Sequence, residues 1–310
     1  MQNILVIGGT GFIGKNLIET LLDDGHKIFL ITRNKNLEQF RNNPMIKSFQ
    51  AALVDTDIIE NIIIDFEIEV VVHLASNLIP SSVKSYFDRE FQDVILPTFK
   101  LLNFLSERKL KIIFFSSGGT IYGDLKQERI AESSRLEPQN WYGYSKLMIE
   151  TQIRFLARIN CLRYIILRPS NVFGRYQRID SEQGFIAVAL GRILNNQSVE
   201  IWGDGSSLRD YVDVSDVVDA AKNIISENIE NEIFNVGSGQ GYTLLEVIEM
   251  LEKNLKKPVN LLFKNKRQVD LDKITLDITK ISDELHYNPK VLERGIKDFI
   301  GSISQIRRND

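Results

Sequence analysis

The stretch Ile4-Leu5-Val6-Ile7-Gly8-Gly9-Thr10-Gly11-Phe12-Ile13-Gly14 decides how the chain is read. Four apolar residues, three of them β-branched, run into a glycine-rich turn, and Phe12, Ile13, Leu17, Ile18, Leu21 and Leu22 then recur at helical spacing. The segment therefore predicts strand, tight turn and helix. Gly8 suits the turn, Gly11 lets backbone approach a pyrophosphate, and Gly14 lets the helix pack closely on the strand. The start of such a helix presents free N–H groups and a positive dipole end to phosphate. Thr10, Phe12 and Ile13 stand between these glycines and join Gly8, Gly11 and Gly14 as candidate cofactor contacts.

The pattern repeats downstream. Strands are expected at Lys27–Ile31, Val70–Leu74, Ile112–Ser116 and Tyr164–Arg168, with helices at Ile58–Phe66, Phe91–Leu105 and Tyr142–Ile159 and a polar stretch after the second strand. Alternation of this kind implies right-handed crossovers and a parallel sheet covered on both faces. The fold class is α/β, a Rossmann-type doubly wound parallel sheet. After Pro169 the rhythm loosens, leaving helices at Gly184–Asn195, Val214–Ser226 and Leu244–Leu255 and a strand at Ile233–Val236. No repeat or Pro/Ser-rich linker separates the parts, so a smaller C-terminal α/β substrate lobe is expected to interleave with the first. Residues 1–168 with about 213–237 form the dinucleotide-binding domain in this reading, and 169–212 with 238–310 form the second lobe. The cleft between them is the default site.

Composition narrows the function classes. The 310 residues are 43% hydrophobic and 25% charged, with a net charge of −3, which fits a globular chain and offers no basic stripe for nucleic acid. The single cysteine, Cys161, has no internal disulfide partner, and no Cys/His spacing resembles a metal site. No charged leader or long apolar run is present, so the expected location is the cytoplasm and no membrane partner is expected.

The end of the second strand normally selects the cofactor, through a carboxylate on the ribose 2′-hydroxyl or an arginine beside a 2′-phosphate. Here it reads Ile31-Thr32-Arg33. With Arg33 and no carboxylate, NADP is favoured, and NAD stays open because an exposed arginine is also an ordinary loop cation.

Within Trp141-Tyr142-Gly143-Tyr144-Ser145-Lys146, Tyr142 and Lys146 lie four apart at a helix start and project from one face. A phenol of pKa about 10 is a poor base at neutral pH, and bringing it there takes about 4 kcal/mol of electrostatic help. The expectation is that Lys146 and a cationic nicotinamide supply it, that Tyr142 exchanges a proton with a sugar hydroxyl or carbonyl, and that Lys146 also holds the nicotinamide ribose. Tyr144 points elsewhere.

These residues resemble the extended short-chain dehydrogenase/reductase family, in its NAD-dependent epimerase/dehydratase branch of nucleotide-sugar 4-epimerases and 4-ketoreductases. The likeness covers essentially the whole chain through G-G-T-G-F-I-G at Gly8–Gly14, V-H-L-A at Val72–Ala75, S-S-G-G-T-I-Y-G at Ser116–Gly123, Y-G-Y-S-K at Tyr142–Lys146, L-R-P-S-N-V-F-G at Leu167–Gly174, G-D-G-S-S-L-R-D-Y-V-D-V at Gly203–Val214 and L-H-Y-N-P at Leu285–Pro289. The resemblance implies a homodimer formed through the helices near Phe91–Leu105 and Tyr142–Ile159, and cofactor contacts at Leu74 and Ala75. It also implies a nucleotide-sugar substrate, with Asn171 at the sugar-linked phosphate and Arg209 and Arg267 on the pyrophosphate.

Three departures from the family pattern stand out. The serine or threonine that hydrogen-bonds the reacting oxygen in 4-epimerases falls on Gly118, so Thr120, or else Ser117, is the expected replacement. The Asp-Glu pair of the dehydratases falls on Gly119 and Thr120, which demotes dehydration. The aspartate expected against adenine falls on Ala52, with Asp55 a weak substitute. Two chemistries at carbon 4 remain, epimerisation and reduction of a 4-keto sugar, beside a catalytically silent NADP-sensing or scaffold protein on the same fold. The loop Ser76–Tyr86, with Ser81 and Ser82, either lines the sugar pocket or is solvated.

Overall fold

The computed structural model describes residues 1–33, 40, 43–125, 127–181, 183–265 and 273–309, with side chains through Ile303. Along the chain, β1 (Asn3–Ile7), α1 (Phe12–Asp23), β2 (Lys27–Thr32), β3 (Ile46–Gln50), α2 (Thr56–Asp65) and β4 (Val70–His73) build one half of a sheet. Then α3 (Lys84–Glu90) runs through a π-helical turn at Phe91–Ile95 into α4 (Leu96–Glu107), followed by β5 (Lys111–Phe115), α5 (Trp141–Asn160) and β6 (Arg163–Pro169). The second part holds β7 (Asn171–Phe173), α6 (Phe185–Leu194), β8 (Val199–Trp202), β9 (Leu208–Asp213), α7 (Val214–Ser226), β10 (Glu232–Val236), β11 (Gly241–Thr243), α8 (Leu244–Leu255), β12 (Leu261–Lys264), β13 (Lys273–Ile274), α9 (Thr279–Leu285) and α10 (Leu292–Asn309).

Seven strands form one sheet in the order β3-β2-β1-β4-β5-β6-β10, and every neighbouring pair is parallel. The order reverses beside β1, which is where a doubly wound sheet opens a crevice at the carboxyl ends of its strands. Side chains alternate across β1. Ile4 and Val6 pack with Leu17, Leu21, Val217 and Ile224 on the face covered by α1 and α7. Leu5 and Ile7 pack with Ile59, Ile63, Leu102 and Ile153 under α2, α4 and α5. Burial on both faces is why these strands read as unbroken apolar runs.

β3 lies inside the polar stretch that yields no strand in the sequence. It is an edge strand with half-exposed or exposed residues throughout, and Lys47, Ser48 and Gln50 give it no apolar run. The helix expected at Phe91–Leu105 starts earlier as α3 and carries the π turn, which adds a residue without breaking the axis.

The smaller part has its own core, in which Ile186, Leu190, Ile201, Val247, Leu251, Ile296 and Phe299 are buried. Its strands are short: β7 and β13 run parallel and β11 antiparallel beside β9, and β8 pairs with β12. The chain returns to the large sheet with β10, so the two parts interleave. A small cluster of Ile121, Tyr122, Ile130, Ile274 and Leu276 ties the loop after β5 to the second part, with Ile130 N–H donating to the Thr275 carbonyl and Asp277 N–H to the Ile130 carbonyl.

Candidate active site

At the mouth of β1 the backbone leaves no room for side chains. Gly8 has φ +88°, and a Cβ there would lie 2.8 Å from Ala75 N and 3.0 Å from the Leu74 carbonyl carbon. The V-H-L-A segment thus backs directly on the turn. A Cβ on Gly14 would meet Gly9 Cα at 2.5 Å and the Gly8 carbonyl oxygen at 2.6 Å, so α1 begins flush against the turn. A Cβ on Gly11 would touch only the Gly8 carbonyl, at 3.3 Å, and faces open space otherwise. Gly11 caps α1 without any side-chain hydrogen bond, and the first turn carries no acidic residue. Uncapped N–H groups, a positive helix end and absent side chains are what a dinucleotide pyrophosphate requires.

The turn opens into a cleft of about 600 Å³, lined by Gly8, Thr10, Gly11, Phe12, Ile13, Gly14, Leu74, Ser117, Thr120, Tyr142, Lys146 and Asn171. Ala75 packs behind Gly8. A larger depression of about 760 Å³, bordered by Lys109, Arg154, Cys161 and Arg163, lies at the opposite end of the sheet, where β6 begins. Ligands of open α/β sheets bind outside the carboxyl ends of the strands, which makes the cleft the candidate site.

Asn140 caps α5, its side-chain oxygen accepting from Gly143 N–H at 2.8 Å, and this orients the first turn that carries Tyr142. Lys146, one turn on, is buried. Its Nζ donates to the Phe115 carbonyl at 3.0 Å and lies 5.6 Å from the centroid of the Tyr142 ring. Burial brings the Lys146 ammonium down to about 8, against the opposing pull of Glu90 and Glu150. Tyr142 is pushed up to about 12, chiefly by burial; a hydrogen bond with the Ser117 hydroxyl lowers it, and the Glu90 charge raises it further. An acidified phenol is the expectation from sequence. Burial outweighs the help available from these neighbours, so the cationic nicotinamide is the source of acidification that this expectation still calls on.

Thr120 Oγ1 donates to Ser117 Oγ at 2.9 Å. The Ser117 hydroxyl also bears on the Tyr142 phenol, and both hydroxyls line the cleft. Ser116 Oγ, also at the cleft, is buried without a partner. Gly118 is explained sterically, since a Cβ there would meet Leu276 Cδ1 at 2.6 Å and the Arg168 carbonyl at 2.7 Å. A hydroxyl side chain cannot occupy that position here.

Asn171 Nδ2 donates to the Asp210 carbonyl at 2.8 Å, which fixes the amide at the cleft wall. Arg209 is half-buried on β9 and does not border the cleft. Arg33 is exposed at the end of β2, and Arg267 lies outside the described residues. Asp55 accepts from Ala52 N–H at 2.8 Å and closes the turn before α2. Of the 76–86 loop, Ser76, Leu78 and Pro80 reach the cleft, whereas Ser81 is exposed and Ser82 Oγ accepts from Ile79 N–H at 3.0 Å.

Several lining residues carry no signal in the sequence. Tyr176, Gln177 and Arg178 come from the connection between β7 and α6, an irregular segment with no periodicity to read. Glu90 is 1% exposed, although Asp88-Arg89-Glu90 reads like a solvated helix face.

The model of the NAD dependent epimerase/dehydratase family matches residues 4–237. The chain belongs to that family. Membership makes it an NAD(P)-dependent enzyme of the nucleotide-sugar epimerase and reductase kind. Relatives from this epimerase/dehydratase family include an Escherichia coli dTDP-4-dehydro-6-deoxyglucose reductase, 34% identical over 97% of this chain and 98% of the relative. A putative UDP-glucose 4-epimerase of Methanocaldococcus jannaschii is 32% identical over 96% and 97%. Among solved structures, the UDP-glucose 4-epimerase of Thermotoga maritima with UDP-glucose is 31% identical, with a TM-score of 0.91 and coverage of 98% and 99%. The Thermus thermophilus UDP-glucose 4-epimerase in complex with NAD is 28% identical, with a TM-score of 0.86 and coverage of 97% and 99%. Among the described residues no helix is long and apolar enough to cross a membrane.

Proposed function

We propose that the protein transfers hydride at carbon 4 of a nucleotide-diphosphate-linked hexose, with Tyr142 as the proton carrier, and that its direction is reduction of a 4-keto group with NADPH. The observation that carries this reading is the placement of Tyr142, Lys146 and Ser117 in one cleft with the Gly8–Gly14 turn. A nicotinamide dinucleotide bound there supplies hydride to the carbonyl carbon and is itself oxidised. The chain's own residues do the rest. Gly8, Gly11 and the start of α1 receive the pyrophosphate, Lys146 meets the ribose, Ser117 and Tyr142 meet the sugar oxygen, and the phenol gives up its proton as the alcohol forms. Asn171 meets the sugar-linked phosphate, with Arg209 and Arg267 assigned to the pyrophosphate by resemblance alone. In this reading residues 1–168 and about 213–237 hold the cofactor and the rest hold the sugar nucleotide.

Arg33, with no carboxylate at the end of β2, supports NADP. A dissociable NADPH in turn supports reduction of a 4-keto group. A second reading, 4-epimerisation with retained NAD, is supported by the Methanocaldococcus jannaschii and Thermotoga maritima relatives. Exposed Leu96, Tyr144 and Phe155 on α4 and α5 support a homodimer through these helices.

The test is NADPH oxidation with 4-keto-6-deoxy sugar nucleotides of several bases. Turnover that collapses in Tyr142→Phe while NADPH binding survives is the expected result. Tightly held NAD and interconversion of 4-epimers would favour the second reading, and full activity in Tyr142→Phe would end the mechanism.

A further inference from the structure

Glu90 is the last residue of α3, and the π turn begins immediately after it. It is the buried member of its helix, and turns of this kind recur at functional sites. Its Oε1 accepts from Ser76 Oγ at 2.8 Å and its Oε2 from Asn77 N–H at 2.9 Å. Both donors are neutral, and among the described residues no cation forms an ion pair with it. A buried carboxylate compensated only by neutral donors is costly.

The helix α3 packs on the start of α5, with the Phe87 and Trp141 ring centroids 4.8 Å apart, and three titratable groups on the surrounding elements act on the Tyr142–Lys146 pair: Glu90 from α3, His73 from β4 and Glu150 from α5. His73 is fully buried and held down to about 3, so it is neutral. Glu150 is engaged by Arg168, with Nη2 to Oε2 at 2.6 Å and Nε to Oε1 at 3.1 Å, which cancels most of its field. Glu90 is left as the uncompensated charge acting on both members of the pair.

We propose that Glu90 is a positioning residue that holds the Ser76–Leu78 wall of the cleft and places a negative charge beside Tyr142 and Lys146, so that the phenol keeps the proton a carbonyl oxygen receives. This rests on the carbon-4 hydride-transfer reading above. The charge favours a phenol and an ammonium over a phenolate and an amine. A loaded phenol is what a ketone needs: hydride from NADPH reaches the carbonyl carbon, the Tyr142 proton goes to its oxygen, NADPH becomes NADP⁺, and solvent returns the proton. Oxidation of an alcohol needs the phenolate instead, the form that Glu90 disfavours.

The test compares Glu90→Gln with Ser76→Ala, which frees the loop but leaves the carboxylate. Two readouts are taken: the alkaline limb of kcat/KM for ketone reduction, and the tyrosinate absorbance of Tyr142 in the NADP⁺ complex, obtained by difference from Tyr142→Phe. Glu90→Gln is expected to lower both midpoints by about one pH unit, with Ser76→Ala leaving them in place and raising KM. Unmoved midpoints in Glu90→Gln, or an equal fall in Ser76→Ala, overturns the proposal. If Glu90→Gln does not fold, Glu90→Asp keeps the charge and must hold the wild-type tyrosinate midpoint; a fall overturns the proposal. The tyrosinate titration needs no substrate. If no keto sugar is turned over, the substrate reading fails while the effect of Glu90 is still measured.

Discussion

Lys146 Nζ donates to the carbonyl of Phe115, the last residue of β5, at 3.0 Å. The helix that carries Tyr142 is thereby hooked to the sheet at the edge of the cleft. An ammonium has three donors, so two remain for a ligand. Lys146→Met keeps much of the stem and removes the charge. Turnover should fall by roughly 10²- to 10⁴-fold, and NADPH, followed by its fluorescence, should bind about tenfold more weakly. Lys146→Arg should not restore activity, because a planar guanidinium does not reproduce a compact ammonium in a buried site. Wild-type turnover in Lys146→Met would remove the residue from the mechanism.

Gly14 and Gly301 predict opposite outcomes for the same substitution. A methyl on Gly14 would meet the Gly9 and Gly8 backbone, whereas Gly301 in α10 has nothing within 4 Å. Gly14→Ala should cost about 1–3 kcal/mol and abolish dinucleotide binding by pushing α1 off the turn. Gly301→Ala should stabilise by up to about 1 kcal/mol. Thermal unfolding with and without NADPH separates the two, and intact binding in Gly14→Ala would refute the close-packed cradle.

Arg33 is exposed at the end of β2. If it meets a 2′-phosphate, Arg33→Ala should weaken NADPH at least tenfold, or about 1.4 kcal/mol, while leaving NADH unchanged. Equal losses for the two dinucleotides would assign Arg33 to the surface.

His73 sets a pH dependence of stability. Thr98 Oγ1 donates its proton to the Val94 carbonyl at 2.6 Å, so the 2.9 Å contact with His73 must come from a proton on Nε2. Burial, then the charge of Lys146, holds the imidazole down to about 3 from 6.5. Between those values the unfolded chain binds the extra proton, so stability rises with pH. The contribution, on the order of 5 kcal/mol, is fully present above about pH 6.5 and lost as pH falls toward 3. In His73→Phe, urea midpoints should vary less over that range; an unchanged slope would show that other groups control acid unfolding.

Glu150 and Arg168 are each 1% exposed and paired at 2.6 Å. Arg168 Nη1 also donates to Tyr122 Oη at 2.9 Å and the Glu132 carbonyl at 3.0 Å. Glu150→Leu strands the guanidinium and should cost about 3–5 kcal/mol. Adding Arg168→Leu should recover part of that loss, since the two sites are coupled. Additive losses in chemical denaturation would contradict a shared ion pair.

The glycine turn, the alternation of strand and helix, and the Tyr142/Lys146 pair are legible along the chain because each signal is local. A strand buried on both faces must be apolar throughout, a helix flush against a turn demands glycine, and two side chains four apart on a helix must share a face. β3 escapes such reading because an edge strand with one wet face carries too little apolar pattern. The closed position at Gly118, the burial of Tyr142 and Lys146 and the buried position of Glu90 arise only when segments distant in sequence meet. Leu276 comes from the second part of the fold, and Glu90 from a helix more than fifty residues before Tyr142. Steric room, desolvation and Coulomb interaction are through-space quantities. The amino-acid sequence names the candidate groups, and the tertiary structure decides the burial and the neighbours that act on them.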